Sequence, residues 1–240
     1  MSSKKTAPPL GDTSPAEKLA AVDARILTAA KAAGRRRTDV TLVAISKTKP
    51  VEQITAFLNM GVRHFGENRV QEAAEKWPGL KTKHSDVELH LVGPLQTNKV
   101  EQAIGLFDVI ETLDRPKLAG ALARAGQKLG ALPALYIQVN TGEEPQKAGI
   151  APSQLEAFAA QCRNEFDLPI LGLMCLPPAD QPAAEHFAVL SDLAARIGVA
   201  KLSMGMSGDF ETAIAHGATH IRLGTQLFGA RDGKIVTPSP

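Results

Sequence analysis

The feature that most constrains the fold is the alternation, from residue 41 onward, of short apolar or β-branched runs with longer helical patterns. Such alternation is typical of βα units on a parallel sheet. The predicted strands lie at 41–46, 62–66, 88–92, 107–112, 134–140, 170–175, 200–204 and 219–223. The predicted helices between them lie at about 51–60, 69–76, 98–105, 115–129, 153–164, 182–197 and 208–216. The pattern predicts an α/β protein with a (β/α)8 TIM barrel.

A capped helix is predicted ahead of the first strand. Ser14, Pro15 and Glu17 match a capping box with proline at the first helical position, and Gly34 marks the end. The stripe that this helix would pack consists of Leu19, Val22, Ile26, Ala30 and Ala33. We expect a disordered tail at 1–13, one barrel domain at 14–232 and a C-terminal tail at 233–240.

An open doubly wound sheet is the structural alternative. It is disfavoured because no predicted strand is followed by a G-x-G-x-x-G turn; Gly205 and Gly208 come near it at the wrong spacing.

Charge and composition exclude several classes of partner. With 27 basic and 25 acidic residues, the formal charge of +2 gives no strong attraction to nucleic acid or anionic membrane. The basic run 35–37 lacks interleaved aromatic residues, so we interpret it as a solvated loop. No apolar stretch is long enough to span a bilayer. Two cysteines in 240 residues suit a reducing compartment, which predicts a cytoplasmic protein.

The end of the first strand carries the first candidate for chemistry. Val43, Ile45 and Lys47 share one strand face, so an ammonium is predicted at the mouth of an apolar barrel. Desolvation there favours the neutral amine that attacks a carbonyl to form a Schiff base. Taken alone, Lys47 could equally be a lysine whose head reaches solvent at a strand end.

The last two strands supply candidates for an anion site. Ser207 precedes a predicted helix, and Gly224 and Thr225 follow strand eight, the two places where many barrels bind phosphate. Ser207 could instead be a plain N-cap. Arg222 lies in a strand covered on both faces, so its guanidinium needs a partner, which could be a core carboxylate. A Schiff-base lysine, a phosphate site and a buried cation together describe a receptor for pyridoxal 5'-phosphate (PLP).

Long motifs also carry a resemblance to a known family. They are VAISKTKP (43–50), HFGENRVQE (64–72), HLVGPLQTNK (90–99), VNTGEEPQKAG (139–149), GLMC (172–175), LSMGMSGDFETAI (202–214) and RLGTQLFGAR (222–231). In these motifs the chain resembles the pyridoxal phosphate homeostasis proteins, which are similar to the barrel half of bacterial alanine racemases. The resemblance implies a fold-type III barrel that holds PLP as a lysine aldimine and takes part in intracellular vitamin B6 homeostasis.

The resemblance also implies roles for individual residues. Lys47 would form the aldimine, Asn68 would line the cofactor, and Arg222 would face the pyridine nitrogen and oppose its protonation. The phosphate would be held by Ser207, Gly224 and Thr225. Met204 is a further cofactor-lining candidate whose alternative is core packing. Residues in the family's motifs that receive no role here are His90, Asn98, Lys147 and Cys175.

The choice between carrier and enzyme depends on a second base. Alanine racemases supply a tyrosine from an added domain and a partner subunit, whereas Tyr136 of this chain lies in the middle of a predicted strand. We therefore expect a monomeric PLP carrier without turnover; delivery of PLP to apo-enzymes is left open. One alternative is a weak racemase-like or decarboxylase-like enzyme that uses His90 or water as its base. Another is an aldolase-like barrel whose lysine meets a sugar phosphate directly.

Overall fold

Eight parallel strands form a closed barrel in this computed structural model, which describes residues 13–229. Each strand pairs with the next along the chain, and β1 closes the ring on β8 in a register that places Val43 opposite Arg222. The strands are β1 (Thr41–Ile45), β2 (His64–Glu67), β3 (Glu88–Leu91), β4 (Val109–Leu113), β5 (Ala134–Val139), β6 (Ile170–Cys175), β7 (Lys201–Ser203) and β8 (His220–Leu223). The barrel prediction is confirmed.

Helices surround the barrel. They are α1 (Pro15–Ala32), α2 (Val51–Asn59), α3 (Val70–Lys83), α4 (Val100–Ile104), α5 (Pro116–Leu129), α6 (Leu155–Asn164), α7 (Ala183–Ile197), α8 (Phe210–Ala215) and α9 (Thr225–Phe228). A candidate membrane-spanning helix is absent from the described residues. The predicted tails lie outside the described residues, except for Thr13.

Two helices differ from the sequence prediction. Helix α3 continues through Pro78 to Lys83, beyond the predicted end at residue 76. Trp77 and Leu80 are buried in that extension, and their packing outweighs the break that proline and glycine would favour. Helix α9 was not predicted at all because its four residues are too short for a periodic pattern.

Helix α1 begins as predicted. The Ser14 hydroxyl accepts a hydrogen bond from the Glu17 amide, and the Glu17 carboxylate accepts one from the Ser14 amide at 2.8 Å. Val22, Ile26 and Ala30 are buried. This face packs against α8 and α9 at the far end of the sequence.

The arginine run is more structured than predicted. Arg36 pairs with Asp39, Arg37 pairs with Asp23, and the half-buried Arg35 donates to the carbonyl of Ile214 at 2.9 Å. The interpretation as a solvated loop is therefore wrong for Arg35 and Arg37. These contacts tie the segment to α1 and α8.

The two faces of the barrel wall differ in chemistry. The outward faces pack against the helices in one apolar cluster, to which Cys162 and Cys175 also belong. The inward faces carry buried polar and charged side chains, among them His90, Glu111 and Arg222. The polar interior leads directly to the carboxyl-terminal mouth.

Candidate functional site

A cavity of about 430 Å3 opens at the carboxyl ends of the strands. Six of the seven predicted site residues line it together: Lys47, Asn68, Ser207, Arg222, Gly224 and Thr225. Its wall is completed by Ile45, Thr48, Lys49, Val92, Leu176, Met206, Gly208 and Gly229.

The lysine stands on a strained turn at the end of β1. Lys47 is half-buried, and the next residue, Thr48, has a φ of 63°. This left-handed conformation is costly for a β-branched residue and persists only when the surroundings hold it. The Thr48 amide donates to Glu72 Oε1 at 2.5 Å, which ties the turn to α3.

A buried carboxylate supports the same turn from below. Glu67 is fully buried and accepts hydrogen bonds from the Ser46 hydroxyl at 2.7 Å and from the Trp77 indole at 3.1 Å. Lys76 Nζ lies 2.7 Å from Glu67 and donates to the Ser46 carbonyl. Sequence reasoning missed this group, although Glu67 belongs to the FGEN motif that pointed to Asn68.

Asn68 offers an unused acceptor to the cavity. Its Oδ1 is buried and has no hydrogen-bond partner. Its backbone is fixed by a close approach of Gly93, where an added Cβ would lie 2.1 Å from the Asn68 carbonyl oxygen. A buried polar atom without a partner costs free energy, so this one is suited to bind a ligand.

Hydroxyl groups from the last two loops meet in the cavity wall. Thr225 Oγ1 donates to Ser207 Oγ at 3.0 Å, and Gln226 Nε2 donates to the Ser207 carbonyl at 2.6 Å. Helix α9 begins at Thr225, and the first amides of a helix have no partner inside it. No heavy atom outside the adjacent residues lies within 4 Å of the position that a Cβ would take at Gly208, the residue after Ser207. The alternative of Ser207 as an N-cap is wrong, since Asp209 occupies that position before α8.

Arg222 is the buried cation of the site. Only 4% of its surface is exposed; Nη2 donates to the Cys175 carbonyl at 2.8 Å and Nη1 donates to Ser203 Oγ at 2.6 Å. Ser203 in turn donates to Glu111 at 2.6 Å, and the Glu111 carboxylate lies 3.8 Å from Arg222. Glu111 is therefore the core carboxylate that the sequence analysis allowed as a partner of Arg222. It contacts Arg222 mainly through the Ser203 hydroxyl.

His90 and Tyr136 lie deeper in the barrel, and neither is among the described residues lining the cavity. His90 Nδ1 lies 2.7 Å from the Glu111 carboxylate. Burial alone would lower the pKa of His90, but the carboxylates of Glu111 and Glu88 outweigh it and raise this pKa to about 9. Burial raises the pKa of Tyr136. These positions do not support either residue as a base at the cavity.

Met204 lies elsewhere than predicted. It is fully buried in the apolar cluster, whereas Met206 lines the cavity. Strand β7 ends at Ser203, and Gly205, with a φ of 93°, turns the chain between the two methionines. Met204 therefore packs on the helix-facing side of the wall, opposite to Ser203, and the alternative of core packing is the one observed.

The motif residues without an assigned role lie outside the cavity wall. Asn98 is exposed in a short 3-10 turn, and Lys147 pairs with Glu144 in the loop after β5. Cys175 is buried, and burial raises the pKa of its thiol to about 12, as expected for a packed residue rather than a nucleophile.

The chemistry of the cavity matches the three polar parts of PLP. An amine, two hydroxyls from the last two loops and a guanidinium are suited to an aldehyde, a phosphate and a ring nitrogen. Asn68 Oδ1 is free to accept a further hydrogen bond. The residues present therefore fit this cofactor.

Comparison with known proteins agrees with this geometry. Residues 18–232 match the family model described as alanine racemase, N-terminal domain. The Pyridoxal phosphate homeostasis protein of Pseudomonas aeruginosa is 43% identical over 226 residues, which cover 90% of this chain and 96% of that protein.

Solved structures show the same relationship. PipY of Synechococcus elongatus with PLP bound is 38% identical, with a TM-score of 0.77 over 90% of this chain and 100% of PipY. An alanine racemase of Clostridium difficile, 15% identical with a TM-score of 0.66 over 88% of this chain and 57% of that one, shares the fold. The chain therefore belongs to the family of pyridoxal phosphate homeostasis proteins, which is built on the alanine racemase N-terminal domain.

Proposed function

We propose that this protein binds PLP covalently at Lys47 and takes part in PLP homeostasis without catalytic turnover. The observation that carries the proposal is the convergence of Lys47, the Ser207–Thr225 hydroxyl pair and the buried Arg222 on one cavity. The names of the relatives and the PLP bound to PipY support the same cofactor.

Each part of the cavity would serve one part of the cofactor. Lys47 binds the aldehyde carbon, the loops at Ser207 and Thr225 bind the phosphate, and Arg222 faces the ring. When bound, PLP can act as an electron sink for carbanions. Because the guanidinium of Arg222 stays charged, it opposes protonation of the ring nitrogen and weakens that capacity.

The surroundings of the cavity support a carrier rather than an enzyme. Among the described lining residues, the titratable side chains are those of Lys47, Lys49 and Arg222. A racemase needs a base on each face of the substrate carbon, and neither His90 nor Tyr136 reaches this wall. We further propose that the carrier acts in the cytoplasm as a monomer; its buried, unpaired cysteines support a reducing compartment.

The test is the visible spectrum of the purified protein, followed by borohydride reduction and mapping of the labelled peptide. We expect a yellow protein with the label on Lys47, and a colourless, unlabelled Lys47→Ala variant. Lys49→Ala is the matched control, since Lys49 lines the same cavity and should not carry the label.

Two other outcomes would contradict the proposal. A colourless protein that takes up no added PLP would favour a sugar-phosphate barrel. Amino-acid racemisation or decarboxylation that disappears in Lys47→Ala would favour an enzyme.

A further inference from the structure

A second cluster of chemically active side chains lies at the amino-terminal end of the barrel, opposite the cavity. His64 and Glu88 are the first residues of β2 and β3, and His90 follows on β3. Glu88 Oε1 lies 3.2 Å from His64 Nδ1 and 2.9 Å from His90 Nε2. Their three ligand atoms all lie within 4.8 Å of one another.

His90 is oriented as metal-binding histidines are. Its Nδ1 faces the buried Glu111 carboxylate at 2.7 Å. A histidine that binds a metal through one ring nitrogen usually gives the N–H of the other to a carboxylate or carbonyl, which fixes the ring. This arrangement directs Nε2 of His90 towards His64 and Glu88.

The ring nitrogen directed at the cluster is buried and faces the carboxylate of Glu88. His90 Nε2 lies 2.9 Å from Glu88 Oε1 in an ion-pair contact and makes no hydrogen bond to any other described residue. With Nδ1 already held by Glu111, Nε2 is the nitrogen of His90 that can bind a ligand.

The cluster is accessible from solvent. The side chains of His64 and Glu88 are 36% and 40% exposed. His64 also lines a surface cavity of about 630 Å3 between α1 and the starts of β1 and β2. An ion can therefore enter, and water can complete its coordination.

We propose that His64, Glu88 and His90 form a binding site for a divalent transition-metal ion of the Zn2+ class, with solvent in the remaining position. Two imidazoles and one carboxylate suit such an ion, whereas Mg2+ and Ca2+ prefer oxygen ligands. Ligands placed about 2.1 Å from a tetrahedral ion lie about 3.4 Å from one another. The separations of 3.2 and 2.9 Å lie within about 0.5 Å of that value, and all three ligand atoms lie within 4.8 Å of one another.

Electrostatics around the cluster favour a dication. The carboxylates of Glu88 and Glu111 flank His90, while the His220 ring lies 5.9 Å from it. The two carboxylates are therefore placed to balance the charge of a bound ion.

The experiment is a titration of untagged protein with Co2+, whose visible absorption reports nitrogen and oxygen coordination, followed by displacement with Zn2+. We expect one ion per chain. His64→Gln and Glu88→Gln should each weaken the affinity at least about 10-fold. Both side chains are partly exposed, so the variants should fold, and circular dichroism checks this.

Matched controls and a cofactor control complete the design. His84→Gln and His216→Gln remove partly exposed histidines outside the cluster and should leave the affinity unchanged. Equal affinity in wild type, His64→Gln and Glu88→Gln, or no saturable binding, would overturn the proposal. Loss of metal binding in Lys47→Ala would also overturn it, because that result would mean that the ion binds to PLP. If Lys47→Ala still binds the metal, the metal site is independent of PLP binding.

Discussion

The middle of the barrel and its carboxyl-terminal mouth both gather polar side chains, but they differ in how these are satisfied. In the middle, Glu111 contacts His90 and Ser203, and Ser203 contacts Arg222, each at 2.6–2.7 Å. At the mouth, Asn68 Oδ1 has no partner and the space beside Gly208 is open. The comparison teaches that Glu111 holds the charged side chains of the interior in place, whereas the mouth keeps unused hydrogen-bonding capacity for a ligand. Substitutions should separate the two.

The largest loss of stability is expected for a substitution in the middle of the barrel. Glu111→Ala leaves Arg222 buried without its carboxylate and removes one of the two carboxylates beside His90; breaking a buried charge pair typically costs about 3–5 kcal/mol of unfolding free energy. Urea unfolding followed by circular dichroism measures it. Glu101→Gln is the control, since that exposed partner of Lys128 should cost at most about 1 kcal/mol. Equal costs in the two variants would remove the distinction between interior and surface charge.

A smaller loss of stability is expected at Gly93, whose backbone lies against that of Asn68 at the mouth. In Gly93→Ala the new methyl group would meet the Asn68 carbonyl at 2.1 Å, so the Asn68 segment must move. Overpacking of this kind costs about 1–3 kcal/mol, and we expect weaker PLP retention as well. Thermal unfolding and dialysis against PLP-free buffer measure the two effects. Gly79→Ala, at a helical position where nothing lies within 4 Å, should lower neither the stability nor PLP retention.

At the mouth itself, binding should change more than stability. Thr225→Ala removes the hydroxyl that contacts Ser207 and should alter the unfolding free energy by about 1 kcal/mol or less. A hydrogen bond to a charged phosphate is worth about 1.5–3 kcal/mol, so PLP affinity should fall roughly 10-fold or more. Equilibrium dialysis with PLP tests this. Thr82→Ala, on an exposed helix face, serves as the control; a Thr225→Ala protein with wild-type affinity would refute the phosphate role.

The smallest effect, an absence of thiol modification in the native protein, is expected for the two cysteines on the helix-facing side of the barrel wall. Burial raises the pKa of Cys162 and Cys175 to about 12, so neither thiol is ionised at pH 8. A colorimetric disulfide reagent should therefore modify no thiol in the native protein and both thiols in denaturant. Rapid modification of Cys175 in the native state would show that the wall beside Arg222 opens.

The sequence was sufficient for the barrel because local patterns determine it. Each strand is a short apolar run, and each boundary carries glycine, proline or a polar turn. The end of α3 was mispredicted because Trp77 and Leu80 gain more from burial than Pro78 and Gly79 cost, and that balance depends on tertiary packing.

The site was only partly predictable for a related reason. Lys47, Asn68 and Thr225 follow predicted strands, so strand ends alone place them together. The pairing of Glu111 with Ser203 joins positions 92 residues apart, and only the closed barrel brings them into contact. Met204 was a cofactor-lining candidate because it lies on the predicted strand seven, but its side chain packs in the apolar cluster, which is the alternative that the sequence analysis also gave.

The position of α1 has a consequence for the order of folding. Its Arg25 pairs with Glu211 and lies over the Phe210 ring, and β1 pairs on one side with β8. The first helix and one edge of the first strand thus find their partners about 180 residues later in the chain. Contacts so distant in sequence form slowly, because closing a long loop costs entropy before the contact repays it. During synthesis on the ribosome, α1 and β1 therefore lack these contacts until α8 and β8 have been made. Closure of the barrel between β1 and β8 is accordingly a late step of folding.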